Sequence, residues 1–184
     1  MKYRREIDGL RALAVVPVIL FHAGFETWSG GYIGVDVFFV ISGYLITTIL
    51  IEDIENERFS LLRFYERRAR RILPALYFVI FVVSLFAILL MLPWYLKEFG
   101  QSVVATVLFL SNIFFYLEND YWAQSSEFLP LIHTWSIAVE EQFYICFPIF
   151  LFFAWRYGRS VAFWIIVIIA LLSMLLCEWS WRNY

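Results

Sequence analysis

Two ionisable residues stand at the ends of the first apolar stretch of this 184-residue chain, Arg11 and His22. An ionisable side chain within a membrane span is costly and points to function by default. At about 100° and 1.5 Å per residue, their spacing puts both on nearly one helix face, roughly 16 Å apart along the axis. An imidazole there can serve as a general base near neutral pH. The plainer alternative makes Arg11 an interface anchor and His22 a satisfied core histidine. Asp36 opens the next helix at the depth expected for His22, where a carboxylate accepting from one ring nitrogen would leave the other free. Its alternative role is to stabilise a helix N-terminus. Glu140 and Glu141 form a second acidic pair expected at the same level. Adjacent residues point about 100° apart, so one at most faces His22 while the other pairs with an arginine or caps its helix. His22, Asp36, Glu140 and Glu141 form the candidate catalytic set.

A second concentration of charge is the run Arg67, Arg68, Arg70 and Arg71. Arg68 and Arg71 share a helical face at i, i+3, and guanidinium forks hold phosphate oxygens bidentately. A phosphate-bearing donor such as acyl-CoA, approached from the cytoplasm, fits that pattern, as does simple anchoring beside a membrane helix. Ser42, Thr47 and Thr48 read as interhelical hydrogen bonders rather than nucleophiles. His133, beside Thr134 and Trp135, reads as an interfacial polar residue rather than a second catalyst. Cys146 and Cys177 lie in apolar runs and read as packed thiols, neither a disulfide nor a metal pair. No metal site and no nucleic-acid partner are expected.

The elements that must position these residues are membrane helices. The chain is 62% hydrophobic, 21% aromatic and 16% charged, with a mean hydropathy of +0.75 and a formal net charge of -2. Soluble domains carry about 25% charged residues, and disordered chains are far less apolar. Asp, Glu, Lys and Arg are absent from Ala12 to Phe25, Val37 to Ile51, Ile72 to Leu96, Phe99 to Leu117, Gln142 to Trp155 and Ser160 to Cys177. A helix needs about 20 apolar residues to span the hydrocarbon, so the fold class is all-α, a polytopic transmembrane bundle in the lipid bilayer with about five spans.

Helix 1 is expected from about Ile7 to Gly24 with a kink at Pro17, and helix 2 from about Gly34 to Ile51. A short amphipathic helix follows from Ser60 to Arg71, and helix 3 starts around Ile72 to Pro74. Later helices cover about Ser136 to Trp155 and Val161 to Trp181. Basic residues at Lys2, Arg4, Arg5 and Arg11, and from Arg58 to Arg71, place the N-terminus and the 2–3 connection in the cytoplasm of a multi-pass plasma (inner) membrane protein. The start resembles a signal peptide without a cleavage site, so helix 1 is read as retained. Phe99 to Leu117 is expected to dip in and return, a re-entrant course that keeps Glu118 to Thr134 outside and Arg156 with Arg159 inside. No repeat, low-complexity tract or separate soluble domain is evident.

Four segments carry a resemblance: YRREIDGLRALAVVPVILFHAG from Tyr3 to Gly24, GGYIGVDVFFVISGYLIT from Gly30 to Thr47, FYERRARRILPAL from Phe64 to Leu76, and HTWSIAVEEQFY from His133 to Tyr144. In this order they resemble integral-membrane acyltransferase family three, which includes O-antigen and other cell-surface polysaccharide O-acetyltransferases. The resemblance implies transfer of an acyl group, usually acetyl from cytoplasmic acetyl-CoA, to a hydroxyl of an envelope carbohydrate. It puts the family's Arg-x10-His motif on Arg11 and His22, with His22 catalytic, and its Arg-x-x-Arg motif on Arg68 and Arg71 at the CoA end. Arg11 would line the path between the faces. The family's domain has roughly ten membrane helices, enough to enclose a site in lipid. Residues 1–184 are therefore expected to be the N-terminal part of such a domain, either truncated or completed by a second polypeptide.

Two other classes stay open at this point. One is a non-enzymatic transport or assembly subunit in which His22, Asp36 and Glu140 form a proton or ion path. The other is a nonfunctional truncation that keeps its parent's motifs. Lysine at positions 68 and 71 would satisfy an anchor but not a bidentate phosphate site.

Overall fold

The computed structural model describes residues 5–117 and 129–183, and every regular element among them is helical. The order is α1 (Arg5–His22), a 3-10 turn (Glu26–Trp28), α2 (Ile33–Glu55), α3 (Leu61–Leu90), α4 (Pro93–Val107), α5 (Ser111–Leu117), α6 (Thr134–Trp155) and α7 (Arg159–Asn183). Where water is absent, a backbone must satisfy its own polar groups, and a helix does so within one segment. Helices α2, α3, α6 and α7 are long and apolar enough to cross a membrane. Helix α1 is not, because its first two turns carry Arg5, Glu6, Asp8 and Arg11. The described residues thus hold four such helices with α1 laid against α2, the polytopic helical bundle expected.

Glycine permits that contact. A Cβ on Gly34 would stand 2.1 Å from the Ala14 carbonyl oxygen, and one on Gly31 would stand 2.2 Å from that of Pro17. Small residues let membrane helices approach backbone to backbone. The contact fixes the register between the two helices that carry Arg11, His22 and Asp36.

Helix α3 corrects a boundary. Ser60 caps it by accepting the Arg63 N–H, and the helix continues through Arg71 and Pro74 to Leu90 without the break expected at Ile72 to Pro74. Proline removes only the hydrogen bond to the carbonyl four residues earlier, that of Arg70, a loss membrane helices tolerate. The arginines are therefore held rigidly by a membrane helix.

The stretch from Phe99 to Leu117 is not one helix. Helix α4 ends at Val107 with Leu108 as its C-cap, Phe109 takes a positive φ of 54°, and α5 begins at Ser111. Such a break needs polar partners, and α6 provides them. The Gln142 amide donates to the Phe109 carbonyl at 2.8 Å and pairs reciprocally with Asn112 at 2.9 and 3.1 Å. Ala87 near the end of α3 and Leu131 just before α6 share one buried cluster with Phe99. Residues 118–128, most of the acidic stretch read as external, lie outside the described residues.

The chain packs as two units, Met1–Ile145 and Cys146–Tyr184. All candidate residues belong to the first. In the second, Leu151, Ala154 and Ala162 are buried while most of α7 is exposed and apolar. Cys146 and Cys177 are free and exposed, not packed thiols, because a run apolar on every face does not reveal which face is covered.

Candidate active site

His22 is the last residue of α1, and its exposed ring has a defined orientation. Nδ1 lies 2.8 Å from the Val18 carbonyl oxygen, four residues back. A carbonyl only accepts, so Nδ1 carries the proton and Nε2 keeps its lone pair in the neutral ring. The helix itself therefore supplies the partner expected of Asp36. That carboxylate is exposed in the first turn of α2 and makes no hydrogen bond or ion pair with His22 among the described residues. Its position matches the alternative, a negative charge at a helix N-terminus.

The neighbour that sequence reasoning missed is His133. Its ring meets that of His22 edge to face, with centroids 4.7 Å apart and an interplanar angle of 86°. Phe21 flanks His22 at 5.1 Å and Tyr32 at 5.8 Å. Partial burial and, secondarily, the nearby His22 hold the His133 imidazole below the ordinary histidine range. The only sequence signal was residue type, since the chain has two histidines.

The arginine cluster divides into two pairs. Arg67 pairs with Asp53 at 3.6 Å and Arg70 with Glu66 at 2.8 Å, which separates these two from the site. Arg68 and Arg71 instead line a cavity of about 300 Å³ with Arg11, Glu140 and Tyr144. Arg11 donates to the Ser42 hydroxyl at 3.4 Å and lies over Phe38, with 5.4 Å to the ring centroid. Arg68 stacks on Tyr144 at 4.3 Å and on Phe64 at 5.8 Å. The Tyr144 hydroxyl donates to the Glu140 carboxylate, and that of Tyr65 donates to the Ile145 carbonyl at 2.8 Å. These contacts tie α3 to α6, as the Arg11–Ser42 bond ties α1 to α2. Thr47 and Thr48, by contrast, bond back to Gly43 and Tyr44 within α2, not between helices.

Glu140 and Glu141 therefore do not join His22 at one level, as expected; they face the arginines. They lie seven and eight residues beyond His133, roughly 10 to 12 Å farther along the α6 axis. Glu141 is buried and its Oε1 finds no hydrogen-bond partner among the described residues; the same holds for Arg11 Nε. A buried guanidinium donor without a partner, beside two further guanidiniums, makes the cavity suited to an anionic group. The arrangement thus separates an arginine-lined cavity from an imidazole with an open nitrogen.

Residues 4–183 match the family described as an acyltransferase domain. The chain is 42% identical over 176 residues to the peptidoglycan O-acetyltransferase OatA of Listeria monocytogenes, a match covering 94% of this chain and 28% of that protein. It is 42% identical over 154 residues to the O-acetyltransferase OatA of Staphylococcus aureus, covering 83% of this chain and 25% of the relative. The chain thus spans about a quarter of the length of these relatives. No solved structure matches. With nearly every residue inside the family match and the histidine and arginine segments in place, this multi-pass membrane chain belongs to the acyltransferase family.

Proposed function

We propose that this chain carries the donor-binding and acyl-transfer residues of a membrane O-acetyltransferase that moves acetyl from cytoplasmic acetyl-CoA to a hydroxyl of a cell-wall glycan. The names of the relatives favour peptidoglycan over lipopolysaccharide as acceptor. The observation that carries the reading is the His22 tautomer: Nδ1 is committed to Val18, and Nε2 is open. In the direct route, Nε2 takes the acceptor proton as the hydroxyl oxygen attacks the thioester carbonyl. The C–S bond then breaks, and the imidazolium returns the proton to the departing thiolate. In the covalent route, Nε2 itself attacks, the thiolate leaves, and the hydroxyl takes the acyl group in a second step.

The donor's phosphates would sit against Arg68, Arg71 and Arg11 in the cavity. From Arg11 to His22 is roughly 16 Å of helix, a span suited to the donor's flexible arm. With the arginines at the cytoplasmic side, the N-terminus is cytoplasmic and the glycan meets His22 from outside. Replacing Arg68 and Arg71 by lysine keeps the charge and removes the planar fork. Acetyl-CoA binding to membranes containing the R68K/R71K chain should weaken at least about tenfold, the scale of losing one charge-assisted hydrogen bond. Unchanged binding would return these arginines to the role of anchors.

A further inference from the structure

His133 is the feature of this site that neither its own sequence context nor the arginine cavity explains. Two anchors fix the turn that presents it. Leu131 is buried in the cluster with Ala87 and Phe99. Thr134 is buried as well, bonded to Thr106 at 3.1 Å and to the Leu131 carbonyl at 2.7 Å. The imidazole between them meets the exposed His22 ring at a right angle. Edge-to-face packing of this kind restricts rotation of both rings.

The helix ends reinforce the arrangement. His22 closes α1 and His133 immediately precedes α6, so both rings are carried at helix ends. Glu26 in the 3-10 turn and Asp36 on α2 make no hydrogen bond or ion pair with either ring among the described residues. Glu140 and Glu141 on α6 are turned toward Arg68.

We infer that His133 is a positioning residue for His22: its ring braces the His22 imidazole so that Nδ1 stays on the Val18 carbonyl and Nε2 faces the incoming acyl group. The inference rests on the reading of His22 as the acyl-transfer residue. It assigns His133 no contact with substrate.

Because the chain has two histidines, replacing one leaves a sole imidazole. Diethyl pyrocarbonate transfers its ethoxycarbonyl group to an unprotonated ring nitrogen, so it reads His22 without substrate. The full chain in lipid nanodiscs is compared as wild type, H133F and H133A, with H22A identifying the His22 signal. Phenylalanine preserves a ring edge, so H133F should react at His22 within about twofold of wild type. H133A should react several-fold more slowly, since the loosened ring loses the Val18 bond that makes Nε2 nucleophilic. Equal rates in all three proteins, or a faster reaction in H133A from a merely opened turn, would overturn the bracing role.

Acetyl-CoA turnover on the same samples separates the two claims. Bracing predicts that H133A lowers kcat by about 10- to 100-fold, the cost of a misplaced reacting group, with donor KM unchanged and H133F largely restored. A raised KM at constant kcat would count against bracing. Full activity in H22A would overturn the acyl-transfer reading, while the modification rates would still judge His133.

Discussion

The histidine end and the arginine cavity solve opposite problems. Around Arg68 the side chains are networked: guanidinium on Tyr144, hydroxyl on Glu140, Arg11 on Ser42, with α1, α2, α3 and α6 all contributing. Around His22, among the described residues, there is one local hydrogen bond, to the helix's own backbone, and there are ring contacts with His133 and Phe21. A site that binds charge in low-dielectric surroundings must have its counter-groups in place beforehand, or the cost of burial prevails. A nucleophile or base must instead leave one nitrogen uncommitted. The difference separates holding from reacting, and substitutions in the two regions should fail in different ways.

The largest effect is expected at the histidine. H22A should lower acetyl transfer by about 10²- to 10⁴-fold, the range for a positioned acid–base group, while acetyl-CoA binding is preserved. The R68K/R71K change should do the reverse, weakening donor binding first. If both variants lose binding alike, the two regions are one site and the comparison collapses.

Smaller effects test the scaffold that holds the regions apart. In G34A the new Cβ meets a backbone carbonyl that cannot rotate away, so α1 and α2 must separate. A loss of about 1–3 kcal/mol is expected, read as a lower thermal midpoint in detergent. Q142L removes the amide that satisfies the break at Phe109 and should cost about 1–3 kcal/mol for the orphaned groups. An unchanged midpoint in Q142L would mean that water replaces the amide. The smallest effect concerns pH. His133 takes up a proton less readily when folded, so its contribution to stability is complete above the ordinary value of 6.5 and is lost as pH falls through the lower folded value. Wild type and H133F should therefore diverge in thermal midpoint only in acid, with wild type the more sensitive.

Much of this scaffold was legible from charge-free runs, because a helix in lipid leaves its mark on every residue it buries or exposes. The break at Phe109 was not, since no glycine or proline marks it and its partner Gln142 lies on a different helix. The continuity of α3 was hidden by Pro74 and by the arginines, which together imitate a boundary. In the site, Arg68 and Arg71 were identifiable from spacing on one helix. Asp36 was assigned to His22 by expected depth alone, and depth does not show that a backbone carbonyl already occupies Nδ1. Glu140 and Glu141 were misplaced by about two helical turns because the start of α6 relative to His22 is set by tertiary packing of Leu131 and Thr134. The same packing brings His133 to His22, which no local pattern encodes.

The most direct test of the central claim is transfer of labelled acetyl from acetyl-CoA, followed in membranes containing the full chain, with donor binding measured in parallel for wild type and H22A. The account predicts that H22A binds donor like wild type and passes no label to protein or glycan. Label transferred by H22A at the wild-type rate would contradict it.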